Sequence, residues 1–369
     1  MPPGRTLSYL HVSVPLRGGK ENRMNMMVPN AAAGELHRQA RVARRLGSPF
    51  VASVLEAGHR QLFLAPRTSA LIAGWPRDPS ASALAMRFNA ALHALARRGE
   101  PAALRALYAR EHDDYDGAIG AALAASDDFI AHWMQDTPQT NEVGRAAAIG
   151  AALMVVRRKF DLPFELLELG SSCGLNLNLA RYGYDLGGVL AGDMESPVHV
   201  MPLWTGPAPF PAPIEVAAAR GVDLNPLDAG DAATRERLLS YVWADQPGRA
   251  RRLERALDLA LCHPPRIDRQ DAASWLVERL AEPQDAGRCR VVFHSMVLQY
   301  LSGEDRGTVL RAIHGAGARA TAERPLAWIG FEWTPTRSEV HLTLTCWPSG
   351  ETRRLATCHA YGNWIDWLG

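Results

Sequence analysis

The chain has 369 residues, of which 47% are hydrophobic and 21% charged, and its formal net charge is +1. This composition is typical of a soluble globular protein with one large or two ordinary domains, and it gives no global positive field that would gather nucleic acid. The five cysteines are scattered, and no CxxC or HExxH motif occurs, so neither a disulfide framework nor a metal site is indicated. No apolar run reaches the length of a membrane span, and we expect a cytoplasmic protein.

The N-terminal third of the chain has a helical pattern. Residues 1–30 are rich in Pro, Gly and Arg and show no sustained period, which predicts a flexible arm. From there to about Arg157, Ala-rich segments carry apolar residues at three- and four-residue spacing. We therefore predict an all-α cap domain over residues 31–136. Its helices are expected at Glu35–Leu46, Ala81–Arg98, Ala102–Arg110 and Tyr115–Met134.

The stretch from Phe164 to Asn178 carries the strongest ligand-binding pattern. An apolar run ends in an acidic residue, a loop of small residues follows, and helical spacing then begins. This order predicts a buried parallel strand, a tight turn and a helix N-terminus whose N–H groups face a ligand. The candidate ligand-binding residues are Glu168, Gly170, Ser171, Ser172, Gly174 and Asn176.

A polar segment, Gln139–Arg145, precedes the helix that leads into this strand. In one interpretation, Thr140 or Asn141 caps the helix and the other side chains are solvated. In the other, Asn141 and Arg145 face the ligand, and the guanidinium waits in an open pocket to grip a carboxylate bidentately. The sequence leaves both open.

Strand and helix signals alternate over the rest of the chain, apart from a Pro- and Gly-rich insertion at residues 185–213. The pattern predicts an α/β domain over residues 137–369: a Rossmann-like, seven-stranded, mostly parallel sheet with helices on both faces. After the strand at Phe164, the predicted strands lie at or end near Arg220–Pro226, Pro265–Ile267, Arg290–Ser295, Leu326–Trp333, Val340–Cys346 and Arg354–His359.

Polar residues follow three of these strands, where open α/β sheets bind their ligands. Asp223 could accept hydrogen bonds from ribose hydroxyls, and it could equally form a turn. His294 could accept a proton beside Ser295, or it could be a satisfied structural histidine. Asp271 precedes a helix, where an N-cap is the plain interpretation.

Taken together, these segments resemble a bacterial family of unknown function, domain-of-unknown-function family 2332, whose core is similar to class I S-adenosylmethionine-dependent methyltransferases. The resemblance covers roughly residues 48–369. The matching residues are Gln139-Thr140-Asn141-Glu142 with Arg145, Leu166–Gly170 to Gly174–Leu177, Arg181-Tyr182, Gly192-Asp193 with Ser196-Pro197, Gly221–Asp228, Val242–Gln246 with Arg249 and Arg252-Leu253, and His294-Ser295 with Tyr300-Leu301.

The resemblance implies S-adenosylmethionine as the cofactor and methyl transfer to an acceptor that the sequence does not identify. The acidic residue and glycine loop would wrap the methionine end of the cofactor, Asp271 would accept the adenine amino group, and His294 and Ser295 would face the substrate. Two alternatives remain open. One is a non-catalytic protein that binds a nucleotide or small molecule in a methyltransferase-like fold, and the other is a scaffold or interaction protein. The oligomeric state is not indicated.

Overall fold

The structure, a computed structural model, describes residues 34–76, 78–80 and 82–369. The flexible arm predicted for residues 1–30 lies outside the described residues. Among the described helices, none combines the length and the apolar character needed to span a membrane.

Six helices form the cap around their own apolar core. Two of them, α2 and α3, lie where no helix was predicted, and they begin at a proline, Pro49 and Pro66. Proline suits the first helical position, because its missing N–H would have no partner there. The cap helices are α1 (Glu35–Arg45), α2 (Pro49–Gln61), α3 (Pro66–Ala73), α4 (Leu84–Arg98), α5 (Ala102–Tyr108) and α6 (Tyr115–Trp133).

The cap is tied to the rest of the chain by Asp245. Its carboxylate accepts hydrogen bonds from Ser48 Oγ at 2.5 Å and from the backbone N–H of Phe50 at 3.3 Å, at the start of α2. Trp243, two residues earlier, is buried in the apolar core of the cap. A distant carboxylate thus satisfies a backbone donor that a helix start leaves free, and the two parts of the chain share one interface.

The second part of the chain is a mixed α/β domain. Its helices are α7 (Ala146–Phe160), α8 (Ala232–Ser240), α9 (Pro247–Cys262), α10 (Ala272–Ala281) and α11 (Gly303–Gly317). Its strands are β1 (Phe164–Leu169), β2 (Gly183–Leu186), β3 (Val189–Gly192), β4 (His199–Val200), β5 (Leu203–Thr205), β6 (Val216–Asp223), β7 (Ile267–Arg269), β8 (Cys289–Ser295), β9 (Leu326–Trp333), β10 (Val340–Trp347), β11 (Glu351–Cys358) and β12 (Trp364–Trp367).

Within the described residues the main sheet has nine strands, in the order β5-β12-β11-β10-β9-β8-β1-β6-β7. The strands from β9 to β7 are parallel, and β10, β11 and β12 continue the sheet in antiparallel fashion. The prediction of seven strands is therefore wrong by two, β12 and β5. Both are too short, at four and three residues, to show a period, and β5 lies in the segment predicted as an insertion. That segment also contributes to a separate sheet of order β3-β2-β4.

The two faces of the sheet are covered by different helices. Leu166 of β1 belongs to an apolar cluster with residues of α7 and α9, whereas Leu167 packs with Trp275 of α10 and Ile313 of α11. Successive side chains of a strand point to opposite faces. The alternation therefore shows on which face of the sheet each side chain at a strand end lies. We call the two sides the α7 face and the α11 face.

The predicted helix after β1 is wrong in type. Residues Leu175–Arg181 form a seven-residue 3-10 helix, and the chain enters β2 directly afterwards. The hydroxyl groups of the buried Tyr182 and Tyr184 donate to the carbonyl groups of Leu175 and Leu179, which satisfies acceptors that a longer helix would use internally. A 3-10 helix of this length offers no strong N-terminal anion site.

His93 lies at the interface between the cap and α8. Its Nδ1 is 3.1 Å from the carbonyl oxygen of Ser240, so Nδ1 carries the proton, and its ring stacks on Tyr108 at 5.4 Å between centroids. Burial lowers the pKa of His93 to about 4, because removal from water disfavours the charged imidazolium.

This environment predicts a stability that falls in acid. A histidine whose pKa is depressed in the folded state binds its proton mainly after unfolding, so its contribution is complete above pH 6.5 and is lost as the pH falls towards 4. Between pH 7 and pH 5 this loss amounts to about 2 kcal/mol. Urea unfolding of wild type and of His93→Gln at both pH values should show that the variant lacks this part of the slope. The exposed His132→Gln serves as the control, and an unchanged slope in His93→Gln would contradict the assignment.

Candidate functional site

The neighbouring parallel strands β1 and β8 form a point where the chain connections diverge. After β1 the chain crosses to β6 on one side, and after β8 it crosses to β9 on the other. In open α/β sheets, ligands bind in the crevice beyond the strand ends at such a point. Two non-glycine residues near this point, Ser172 and Met296, have left-handed backbone conformations, with φ of 54° and 62°. Strained backbone of this kind concentrates at functional sites.

The loop after β1 is bound to its protein neighbours. The N–H groups of Ser171 and Ser172 donate to Val222 O and to Asp223 Oδ2, the latter at 2.8 Å. Asn141 Oδ1 accepts from the N–H of Leu175 at 3.0 Å. These are backbone donors that the sequence pattern assigned to a ligand. In this structure they hold the loop against β6 and the polar segment.

Both glycines of the loop have left-handed backbone, with φ of 67° at Gly170 and 69° at Gly174. A Cβ atom on Gly170 would lie 2.6 Å from Val297 Cγ2, and one on Gly174 would lie 2.7 Å from Pro265 Cβ. Glycine is required at both positions. The groups that exclude a side chain here are protein side chains.

Glu168 is a buried carboxyl group on the α7 face with no cationic partner among the described residues. Only 2% of the residue is exposed, and its Oε2 has no hydrogen-bond partner. Two neighbours in sequence, Ser172 Oγ and Asn176 Oδ1, are buried and unpartnered as well. Burial raises the pKa of Glu168 to about 8, hydrogen bonds from the Ser171 and Asn176 side chains oppose this rise, and the negative charge of Asp223 adds to it.

Arg145 lies on the same face, buried rather than in an open pocket. Its Nε donates to Ala360 O at 3.0 Å, and its Nη1 donates to Ser295 O at 3.1 Å with Ser295 Oγ at 3.4 Å. It forms no ion pair with any described residue. Burial lowers its pKa and the charges of Glu142 and Glu332 counteract this, but an arginine remains charged in either case.

Glu142 binds the adjacent helix α9. Its carboxylate accepts from Arg249 and lies 3.6 Å from Arg252, and it also accepts from the N–H of Gly144. Burial alone would raise the pKa of Glu142, but the two guanidinium groups outweigh it and hold the pKa below its ordinary value. The sequence pattern had Thr140 or Asn141 as the cap of this segment. The structure gives that position to Glu142, because the chain first makes a 3-10 turn at Val143–Arg145.

His294 points to the α11 face, away from Arg145 and Glu168. Its Nδ1 is 2.7 Å from Glu332 Oε1, and its Nε2 accepts from Trp328 Nε1 at 2.9 Å. An imidazole that accepts at Nε2 carries its proton at Nδ1, so the ring is neutral and both nitrogens are engaged. Its predicted catalytic role stays a prediction.

Glu332 is the centre of this arrangement. The same Oε1 accepts from the N–H groups of Val297 and Leu298 at 2.9 and 3.2 Å. Burial alone would raise the pKa of Glu332, but the hydrogen bonds from His294 and the two N–H groups lower it. The carboxylate thus fixes the loop after β8, which brings Val297 over Gly170.

The remaining predicted residues lie at the same edge of the sheet but have structural partners. Asp223 accepts from the N–H of Asn225 at 2.9 Å and from Gln139 Nε2 at 3.2 Å, in addition to Ser172. Asp271 accepts from the N–H of Ser274 at 2.9 Å and caps α10, beyond the outermost parallel strand. Their predicted contacts with ribose and adenine stay predictions.

Val297 and Trp328 were not among the predicted site residues. Both read as ordinary core residues in the sequence, and only the pairing of β8 with β9 brings them to the loop and to His294. A small cavity beside the polar segment, about 20 Å³, is lined in part by Asn141, Glu142 and Arg249. Among the residues that the structure describes, no three His, Cys, Asp or Glu side chains are grouped to hold a metal ion.

Comparison with known proteins assigns the chain to a family, and the other two comparisons found no match. A family model described as an uncharacterised protein conserved in bacteria matches residues 33–367. No curated protein and no solved structure matches the chain.

The environment of Glu168 predicts a stability that falls in alkali. A carboxyl group whose pKa is raised in the folded state stabilises fully below its ordinary pKa of 4.5, and this contribution is lost as the pH rises through 8. Between pH 5 and pH 8 the loss is about 3 kcal/mol. Glu168→Gln, which keeps the shape without the charge, should remove this loss and be more stable than wild type at pH 8 in urea unfolding. The exposed Glu100→Gln should behave as wild type. A Glu168→Gln variant that keeps the wild-type slope would show that the group is ionised and solvated.

Proposed function

The chain belongs to the family of uncharacterised bacterial proteins whose model spans residues 33–367, and we propose that it binds S-adenosylmethionine and transfers the methyl group to an unidentified acceptor. The proposed binding site is the carboxyl edge of β1 and β8, on the α7 face.

One observation carries this proposal: a buried acidic side chain, Glu168, and a buried basic side chain, Arg145, lie on the same face of the sheet, and neither forms an ion pair with a described residue. Glu168 pairs in register with Phe293 of β8, and Ser295, which contacts Arg145, lies two residues further along. Strand geometry places the Cα positions of Glu168 and Ser295 roughly 8 Å apart. A buried charge without a counter-charge is costly. The ammonium and carboxylate of an amino-acid group would supply both missing charges.

The amino-acid end of S-adenosylmethionine is such a group. Arg145 would hold its carboxylate, with the planar guanidinium fork suited to two parallel hydrogen bonds. Glu168 would receive its ammonium group. When bound, the cofactor supplies an electrophilic methyl group on a sulfonium, and transfer in line to an acceptor depends chiefly on positioning and on exclusion of water. The apolar side chains around the β1 loop suit that exclusion.

The chemistry of the residues fits the cofactor, but a protein side chain occupies the space that the cofactor would need at the loop. Val297 fills the space over Gly170, and the cavity beside the polar segment is only about 20 Å³. Small-molecule sites of this kind have volumes of roughly 300–1,000 Å³. Binding therefore requires the segment after β8, around Val297, to move. That segment is held by hydrogen bonds to Glu332.

A second candidate function is binding without catalysis. The observation that favours it is the engagement of both ring nitrogens of His294, which leaves no free base at the end of β8. Incubation of the protein with methyl-labelled S-adenosylmethionine and bacterial extract separates the two functions. Label transferred to a component of the extract supports methyl transfer, and binding without transfer supports the second candidate.

The proposal predicts that Arg145→Ala weakens the binding of S-adenosylhomocysteine, measured calorimetrically, by roughly 1.5–3 kcal/mol, the scale of a charged hydrogen bond. Arg145→Lys should recover only part, because an ammonium group cannot reproduce the fork. The exposed Arg181→Ala should bind as wild type.

Arg145→Ala should also lower the stability of the free protein, since the carbonyl groups of Ser295 and Ala360 lose their donor. The titrations are therefore carried out at a temperature well below the unfolding midpoint of each variant. A folded Arg145→Ala protein with wild-type affinity would remove the arginine from the site, and absence of binding by the wild type would sink the cofactor assignment.

A further inference from the structure

The buried polar side-chain atoms without a hydrogen-bond partner, arginine Nε atoms aside, form two groups among the described residues. One lies in the cap and at its boundary with α8: Asn89 Oδ1, Tyr108 OH, Trp133 Nε1 and Tyr241 OH. The other lies at the end of β1 and in the loop and 3-10 helix that follow: Glu168 Oε2, Ser172 Oγ and Asn176 Oδ1. The first mixes donors and acceptors. The second consists of acceptors and one hydroxyl, so it calls for a ligand that donates.

From this second group we propose that the ligand of the β1 edge carries a primary ammonium group, and that its binding expels the proton of Glu168. The inference rests on the proposed function for the identity of the ligand, but its chemistry stands on the site alone.

The donor count supports an ammonium group. A carboxylate oxygen and an amide oxygen only accept hydrogen bonds, and a hydroxyl can accept as well. A primary ammonium group has three N–H donors, one for each of Glu168 Oε2, Asn176 Oδ1 and Ser172 Oγ. A quaternary ammonium group has none, and an alkali cation gives no directional bond.

Electroneutrality supports the exchange of a proton. Glu168 has no ion-pair partner in the described part of the chain, and the nearby charge of Asp223 is negative. The carboxyl group at neutral pH therefore retains its proton, in agreement with the raised pKa. Entry of the ammonium group replaces that proton: the O–H bond of Glu168 breaks, the proton passes to solvent, and the carboxylate pairs with the ligand. The Glu168 carboxyl group with its proton, and the carboxylate paired with the ammonium group, are each neutral overall, so neither state leaves an uncompensated charge on this carboxyl group.

The first test is calorimetric titration with S-adenosylhomocysteine at pH 6.5, where both the Glu168 proton and the ligand ammonium are present, in two buffers of different ionisation enthalpy. We expect release of close to one proton for each ligand bound. Glu168→Gln should bind ten- to a hundredfold more weakly and release none, whereas Asn176→Ala should bind more weakly and still release the proton. Glu100→Gln is the matched control. Binding by wild type without proton release, or unchanged release in Glu168→Gln, overturns the proposal.

The second test does not depend on the cofactor. Methylammonium chloride should raise the unfolding midpoint of the wild-type protein at pH 7, since a ligand of the native state alone stabilises it by mass action. Equal concentrations of tetramethylammonium chloride and potassium chloride should not, and Glu168→Gln should lose the response. If S-adenosylhomocysteine fails to bind and methylammonium still stabilises, the proposed function fails and the ammonium site stands. An equal response to all three salts rejects the ammonium site.

Discussion

The polar segment Gln139–Arg145 holds the α/β domain together at one edge. Asn141 accepts from the loop after β1, and Glu142 binds two arginines of α9. Arg145 donates to the end of β8 and to the loop before β12. Each side chain satisfies a buried group on a different element, so the segment fixes their relative positions. Loss of one member would leave a buried donor or acceptor unsatisfied, which costs more than the bond itself contributes.

Close backbone contact between two glycines completes this arrangement. A Cβ atom on Gly144 would lie 2.4 Å from Tyr361 O, and one on Gly362 would lie 2.3 Å from Gly144 O. The C-terminal loop can therefore lie directly on the start of α7 only because both positions are glycine. This contact brings Ala360 O within reach of Arg145, and the carboxyl edge of the sheet, the cap interface and the C-terminal hairpin meet at one place.

The carboxyl edge divides into two environments because strand side chains alternate. On the α11 face, Trp328, His294 and Glu332 form a chain of hydrogen bonds in which every ring nitrogen and the shared carboxylate oxygen has a partner. Such a fully satisfied network rigidifies what it contacts. On the α7 face, Glu168 and Arg145 are buried and form no ion pair with any residue that the structure describes. Buried polar groups that lack a hydrogen-bond or ion-pair partner in a native structure require an explanation, and a bound ligand would provide one.

The sequence was sufficient to predict a mixed α/β fold with a large, mostly parallel sheet, and to predict the strand and the turn at β1. The strand pattern predicted seven of the nine described strands of the main sheet, and the acidic residue with two glycines indicated the loop after β1. These features are local, and burial of one face of a strand or helix imposes them on the sequence directly. The strands β5 and β12 were not predicted, because three or four residues cannot show a period. The equally short β7 was predicted from its position before the helix start at Asp271.

The partners of the candidate residues depend on contacts between elements that are distant in the chain. The sequence grouped His294 with Arg145 and Glu168, but alternation within parallel strands separates them onto opposite faces. The segment expected to be an α-helix after β1 is a 3-10 helix, in which the carbonyl groups of Leu175 and Leu179 accept from the hydroxyl groups of Tyr182 and Tyr184. Asn141, Asp223 and Asp271 bind backbone N–H groups, and only the fold shows which donors reach them. The unpartnered state of Glu168 likewise has no local signal, since it depends on burial and on which described side chains, distant in the chain, reach its carboxyl group.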